Sequence, residues 1–247
     1  MQSTLPSYHP LMIDCQFCKK PGSSVEAHVI PEAIFLSVKL DGGPLREMGP
    51  VGHAKRRLTG IWDDQIWCRK CENTYSSSES DAINCWRQLA GQTTLSLNEP
   101  RLGTSAGFHD FVLFMLWKAS KSKMQFYNCI SLGPMQGKLR DALIDANEQE
   151  KASFEVILTT SVDPPRCIIQ PVKIRINGVQ FAKFYLDHLD VLVKTDSRPL
   201  PSLLQPLAMS READYLIVHP SPRPPYLKQF LHDTALNRRA LRTKKMR

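Results

Sequence analysis

The sequence predicts an α+β protein in which helices precede a small antiparallel sheet. Apolar residues recur at the helical period over residues 68–89 and cover nearly every side of 108–120. From about residue 153 the period changes to two, and Asn177-Gly178 is the dipeptide that most strongly marks a tight hairpin. Two Cys-x-x-Cys pairs add a predicted metal-bound module in the first third of the chain.

Length and spacing suggest three parts. The chain has 247 residues, of which 42% are hydrophobic, enough to form a core. We expect a zinc-bound module at 1–92, an α+β domain at 93–225 and a basic C-terminal helix or tail at 226–247. The net charge of +8 favours nucleic acid or another acidic surface as a partner.

The compartment is predicted from the cysteines and the N-terminus. Seven cysteines, three of them outside the two pairs, argue against a disulfide framework and for a reducing environment. The first residues lack a basic region followed by an apolar run, so we expect no signal peptide. No apolar stretch is long enough to span a bilayer. These features predict a cytoplasmic protein with no membrane partner.

The first third should begin with a hairpin and end in a helix. Met12-Ile13 and Val25–Ile30 have the composition of short strands, and Pro31 should end the second and begin a helical turn. Glycine, proline and basic residues at 40–59 predict a loop. A helix should start at or just after Cys68, with a break at the three serines of 76–78.

The remaining elements follow the two hydrophobic periods. Residues 91–107 should be a polar connector, followed by the buried helix at 108–120 and an amphipathic helix at 135–145. Strands are expected at residues 154–158, 167–170, 172–176, 179–185, 189–194 and 215–218. A proline-rich linker at 220–225 should lead to a basic helix from about 226.

The strongest chemical signal is the set Cys15, Cys18, Cys68 and Cys71. A two-residue gap allows both sulfurs of a pair to reach one tetrahedral ion at about 2.3 Å. We therefore predict a structural zinc site. The alternative is a redox pair, but neither pair lies at a strand-to-helix junction of a βαβ unit.

Residues between and beside the two pairs could support hydrolysis. A neutral imidazole at His28 could accept a proton from water. Asp63 and Asp64 are acids that could bind a hard cation, or they could instead cap the helix that follows. A histidine with no functional role is the alternative for His28. Glu72 and Glu79 should share one helix face, either solvated or, for Glu72, beside the metal.

The motif His28-Val29-Ile30-Pro31 between two Cys-x-x-Cys pairs resembles the zinc-supported form of the HNH, or ββα-metal, endonuclease family. The resemblance implies a treble-clef-like ββα module with His28 as general base at the end of a strand. It places Asp63 or Asp64 at the family's middle asparagine and Asn73 at its last metal ligand. Leu113–Ser120 is similar to a Leu-x-x-Leu-Trp-Arg-Ala-Ser segment of a bacterial HNH-like subset. This subset has no assigned activity that could be expected of the present chain.

One position departs from the family pattern. Active members carry Asp, Glu or His just before the base, whereas this chain has Ala27, which cannot coordinate an ion. Strand alternation predicts that Glu26 points to the same face as His28 and could replace the missing ligand.

The resemblance implies a metal-dependent endonuclease that hydrolyses phosphodiester bonds in double-stranded DNA, with a role in defence against phage by analogy. Mg²⁺ or another divalent ion would be the catalytic cofactor. Two basic segments would bind the phosphate backbone or, alternatively, be merely solvated: Lys55, Arg56 and Arg57, and Arg238, Arg239 and Arg242. Ala27 favours a second hypothesis, an inactive zinc-dependent adaptor for nucleic acid or protein. A third is a regulator whose C-terminal half binds a ligand or a protein partner.

Overall fold

The computed structural model describes residues 11–38, 45–47, 55–57, 60–160 and 168–220. Within them the helices are α1 (Glu32–Ser37), α2 (Arg69–Gln88), α3 (Ser105–Lys121), α4 (Met135–Ile144) and α5 (Glu148–Ala152). The strands are β1 (Met12–Asp14), β2 (Pro21–Ser23), β3 (Ala27–His28), β4 (Leu45–Glu47), β5 (Lys55–Arg57), β6 (Trp62–Asp63), β7 (Thr94–Ser96), β8 (Val156–Thr160), β9 (Ile168–Ile176), β10 (Val179–Leu186), β11 (Leu189–Lys194), β12 (Tyr215–Ile217) and β13 (His219–Pro220). The predicted α+β class is confirmed.

The largest sheet lies in the C-terminal half, as the change of period predicts. Its order is β13-β8-β11-β10-β9, with antiparallel neighbours except for β13, which runs parallel to β8. Asn177 and Gly178 connect β9 to β10 with φ angles of 48° and 83°. A type I′ turn needs positive φ at both central residues, which explains why this dipeptide forms the hairpin.

The two faces of this sheet pack against different parts of the chain. Side chains such as Leu158, Phe184 and Val191 point to the main core, where α3 lies. On the opposite face, Phe181 and Leu192 belong to a second buried cluster with Leu200 from the segment after β11. Alternation along each strand produces this division.

Helix α3 lies at the centre of the main core, and the prediction that it is buried on nearly all sides is confirmed. Its apolar residues from Phe111 through Trp117 are buried, and Lys118 is buried with them. Thr104 caps the helix, because its hydroxyl oxygen accepts a hydrogen bond from the backbone N–H of Gly107 at 3.0 Å.

Helix α2 is continuous, so the predicted break at residues 76–78 is wrong. Hydroxyl groups along the helix donate to carbonyl oxygens of the preceding turn, as Ser80 does to Ser76 at 3.1 Å. The buried side chains of Cys71, Cys85 and Trp86 hold the helix against the core. Tertiary packing therefore outweighs the weak helix propensity of serine.

Three connecting segments differ from their predictions. Val25–Ile30 is not one strand, because only Ala27–His28 pairs with another strand. The expected connector at 91–107 contains β7, which pairs with β12, so the predicted strand near Tyr215 joins a separate two-stranded sheet. The expected loop at 40–59 contains β4 and β5, which form an antiparallel pair that includes Lys55, Arg56 and Arg57. The predicted C-terminal helix and Arg238, Arg239 and Arg242 lie outside the described residues.

The predicted domain boundary at residue 92 lies in the turn that follows α2. Buried side chains from both sides of it form one cluster, in which Phe17 and Trp67 contact Phe114 and Trp117 of α3. Among the described helices, none combines the length and the apolar composition needed to cross a membrane.

Candidate metal centre and the surroundings of His28

The first cysteine pair lies in a tight turn between β1 and β2. The backbone N–H of Lys19 donates to the carbonyl of Cys15 at 3.0 Å, and the N–H of Cys15 donates to Lys20 at 3.1 Å. Lys19 adopts a positive φ of 60°, which turns the chain back into β2. This turn directs the side chains of both cysteines toward the same point.

The second pair comes from the start of α2. Cys68 is the N-cap residue and Cys71 lies in the first turn. The backbone N–H of Cys68 donates to the Sγ atom of Cys15 at 3.4 Å, which joins the helix to the turn. The N-terminal end of a helix favours negative charge, which would offset part of the cost of a thiolate at these two positions.

The four sulfur atoms form a compact cluster. All lie within 4.8 Å of one another, with 3.8 Å between Cys15 and Cys71 and 4.0 Å between Cys18 and Cys68. Four sulfurs held at about 2.3 Å from a tetrahedral ion lie about 3.8 Å apart, so the arrangement fits zinc or a similar ion. The predicted grouping of these cysteines is confirmed.

The electrostatics of the cluster would favour a bound cation over bare thiolates. Burial raises the pKa of the Cys71 thiol, and the neighbouring Cys15 and the other two sulfurs raise it further. Thiolates at these positions would repel each other strongly without a positive charge between them. A bound divalent cation reverses this penalty, because it stabilises the deprotonated sulfurs that coordinate it.

His28 lies at the end of β3, as the sequence predicts for this motif. It pairs with Trp62 of β6, while Ala27 pairs with Asp63. Directly opposite residues in an antiparallel ladder project to the same side, and neighbours along a strand project to opposite sides. His28 and Asp63 therefore project from opposite sides of this short ladder.

Asp63 links two parts of the chain. Its Oδ1 atom accepts from the backbone N–H of Gln65 at 2.9 Å. Its Oδ2 atom accepts from the hydroxyl of Ser122 at 3.0 Å and from the backbone N–H of Lys123 at 2.9 Å. The Oδ2 atom of this buried carboxylate thus holds β6 against the end of α3, while Oδ1 stabilises the local turn at Gln65.

Asp64 follows β6 and is half-buried. Its carboxylate accepts from the side-chain amide of Gln65 at 3.1 Å. Cys68 is the N-cap of α2, so neither Asp63 nor Asp64 caps that helix. The alternative that Asp63 and Asp64 merely cap α2 is therefore wrong.

Glu26 lies in a tight turn, and Ala27 follows it as the first residue of β3. The backbone N–H of Ala27 donates to the carbonyl of Val25 at 2.8 Å, so the chain bends at Glu26 before β3 begins. Strand alternation does not extend back to Glu26, and the argument that it shares a face with His28 fails. Glu26 is exposed, whereas Ala27 is fully buried.

The other predicted ligand positions lie on α2. Asn73 is exposed, and the neighbouring Glu72 is half-buried. Burial raises the pKa of Glu72, the cation of Lys118 opposes this shift, and the charge of Glu79 adds to it. Apart from the cysteine cluster, the described residues contain no group of three or more His, Cys, Asp or Glu side chains close enough to share an ion.

Sequence reasoning missed the role of Lys118. Lys118 lines a cleft of about 20 Å³ between α2 and α3, together with Trp67, Glu72 and Glu79. The Nζ atom donates to the backbone carbonyl of His28 at 2.7 Å. The available signal was a lysine within the most apolar helix of the chain, since a buried charge needs a partner.

Comparisons with the models of known protein families, with curated proteins and with solved structures find no match for this chain. None of them supports the resemblance to the HNH family. The class that the site itself defines is therefore an α+β protein with a four-cysteine cluster close enough to bind a metal ion.

Proposed function

We propose that this chain is a zinc-stabilised, metal-dependent endonuclease of the HNH type that cleaves double-stranded DNA. The observation that carries the proposal is the order of elements around His28. The strand β3, which ends at His28, pairs with β6, and β6 leads directly into α2. The same helix supplies two cysteines of the cluster and carries Asn73. This order agrees with a ββα unit held in place by a metal site.

In this proposal His28 is the general base that removes a proton from the attacking water. A divalent ion would stabilise negative charge that develops on the scissile phosphate. Mg²⁺ sites commonly use one or two carboxylates with waters and substrate phosphates. Both carboxylate oxygens of Asp63 already accept hydrogen bonds within the fold. Asn73 and Asp64 are therefore the residues proposed to bind the catalytic ion. Lys55, Arg56 and Arg57, with the basic C-terminal segment, would supply salt-dependent affinity for the DNA backbone.

Specific observations favour a second function, an inactive zinc-dependent adaptor that binds nucleic acid or protein. Ala27 is fully buried and offers no ligand next to His28. Both carboxylate oxygens of Asp63 are already hydrogen-bonded within the fold. Glu26 lies in a turn before β3, so strand alternation does not place it beside His28. In the adaptor, these groups serve only to stabilise the module.

The test is plasmid cleavage by the purified protein and by His28→Ala, with Mg²⁺, Mn²⁺ or Ni²⁺ added. His219→Ala is a matched control, since His219 is also half-buried but lies on β13, in the C-terminal sheet. Zinc content is measured in all three proteins. We expect the wild type and His219→Ala to cut, and zinc-loaded His28→Ala to lose about 10²- to 10⁴-fold in rate. Absence of cleavage with every ion, while the zinc-loaded protein binds DNA, would favour the adaptor.

A further inference from the structure

A buried lysine connects α3 to the strand that carries His28. The side chain of Lys118 is only 5% exposed, and its Nζ atom lies 2.7 Å from the carbonyl oxygen of His28. The carbonyl belongs to the last residue of β3, where the strand ends and the chain turns toward α1. The ammonium of Lys118 is therefore hydrogen-bonded to the backbone of His28, the predicted general base.

The surroundings of Lys118 hold its ammonium in one place. The carboxylate of Glu79 lies 3.5 Å from Nζ, and the ring of Trp67 lies 5.3 Å away. Glu72 is also close to Lys118: burial raises the pKa of Glu72, and the charge of Lys118 opposes this shift. A charged group removed from water is stable only when such partners compensate its lost hydration. Four elements thus determine where this ammonium lies: β3, α2, α3 and the segment before α2.

A second contact from the same end of α3 reaches the partner strand. The hydroxyl of Ser122 and the backbone N–H of Lys123 donate to the carboxylate of Asp63. Asp63 lies on β6, directly opposite Ala27. The C-terminal end of α3 therefore binds both strands of the ladder, one through a backbone carbonyl and the other through a side chain.

We infer that Lys118 is a positioning residue for His28, acting through the His28 carbonyl to set the orientation of the imidazole. The ladder that carries His28 has only two residue pairs, and an isolated pair of strands this short is marginally stable by itself. The ammonium adds a hydrogen bond from α3 to the end of β3. The catalytic consequence rests on the proposed function, whereas the structural effect on His28 does not.

The experiment compares Lys118→Met, which removes the donor, with Lys118→Arg, which keeps a cation and N–H donors. Lys151→Met is a matched control: its side chain is also 5% exposed and ion-paired, but with Asp110 and Glu148. NMR spectra record the imidazole and carbonyl signals of His28 in each protein. We expect both sets of signals to shift and broaden in Lys118→Met, to return toward wild type in Lys118→Arg, and to remain unchanged in Lys151→Met.

Unchanged His28 signals in folded Lys118→Met would overturn the inference, and so would equal changes in Lys151→Met. If Lys118→Met does not fold, the wild-type protein still provides a test. The ammonium protons of Lys118 should exchange slowly with water and show a nuclear Overhauser effect to His28, and rapid exchange without that contact refutes the inference. If the wild type cleaves DNA, kcat of Lys118→Met should fall about 10- to 100-fold with KM nearly unchanged. Because the NMR result needs no cleavage, it separates this inference from the proposed function.

Discussion

Replacement of His109 should remove much of the acid sensitivity of folding. His109 lies on α3 and is 1% exposed. The guanidinium Nη1 atom of Arg211 lies 2.6 Å from its Nδ1 atom. Arginine can only donate, so Nδ1 accepts and the ring proton is on Nε2. A proton added at Nδ1 would break this hydrogen bond and place a second cation beside Arg211.

The size of the effect follows from the pKa. Burial, and then the charge of Arg211, lower the pKa of His109 from 6.5 to about 4, while Asp110 acts in the opposite direction. Because the folded pKa lies below the unfolded one, the unfolded chain takes up the proton first. Stability is therefore complete above pH 6.5 and falls as the pH drops toward 4. The loss is about 2 kcal/mol at pH 5 and about 3 kcal/mol once both states are protonated.

The assay is urea unfolding of the wild type and of His109→Gln between pH 7 and pH 5. A glutamine oxygen can still accept from Arg211 but does not titrate. We expect the wild type to lose about 2 kcal/mol more than the variant over this interval, and zinc content is measured to show that metal loss does not differ. Equal losses in the two proteins would refute the reasoning.

The remaining predictions concern the cysteine cluster and the hairpin turn. We expect the wild type to bind zinc and Cys71→Ser to lose this binding together with several kcal/mol of unfolding free energy. Cys85→Ser, which changes a buried cysteine outside the cluster, should bind zinc as the wild type does. Elemental analysis and thermal unfolding measure the two effects. Retention of one zinc ion per chain by Cys71→Ser would contradict the four-ligand site. Gly178→Ala should cost about 1 to 2 kcal/mol because of its φ of 83°, whereas Gly137→Ala on α4, with open space around it, should stabilise by about 0.5 to 1 kcal/mol. Chemical denaturation measures both, and a neutral Gly178→Ala would contradict the turn assignment.

Local patterns predict the features that depend on neighbouring residues. The Asn177-Gly178 hairpin follows from two consecutive residues that tolerate positive φ. The burial of α3 follows from the absence of a polar face between Phe111 and Trp117. The cysteine cluster could be predicted because each Cys-x-x-Cys pair is itself a local motif, and tetrahedral coordination of one ion would require the two pairs to meet.

Local patterns fail where the decisive partner is distant in the sequence. The three serines of α2 do not interrupt the helix, because packing of its buried face outweighs local propensity. Strand alternation does not relate Glu26 to His28, because a tight turn precedes β3 at Glu26. Asp63 accepts hydrogen bonds from Ser122 and Lys123 at the far end of α3, which nothing near Asp63 indicates.

By itself, therefore, the sequence determined the α+β class, the principal hairpin, the central helix and the grouping of the four cysteines. The surroundings of His28 were decided by the tertiary structure alone. Lys118 is 90 residues from His28 along the chain, yet its ammonium reaches the His28 carbonyl. The physical reason is that a buried cation must find compensating oxygen atoms, and only the packing of α3 against β3 and α2 determines which oxygens those are.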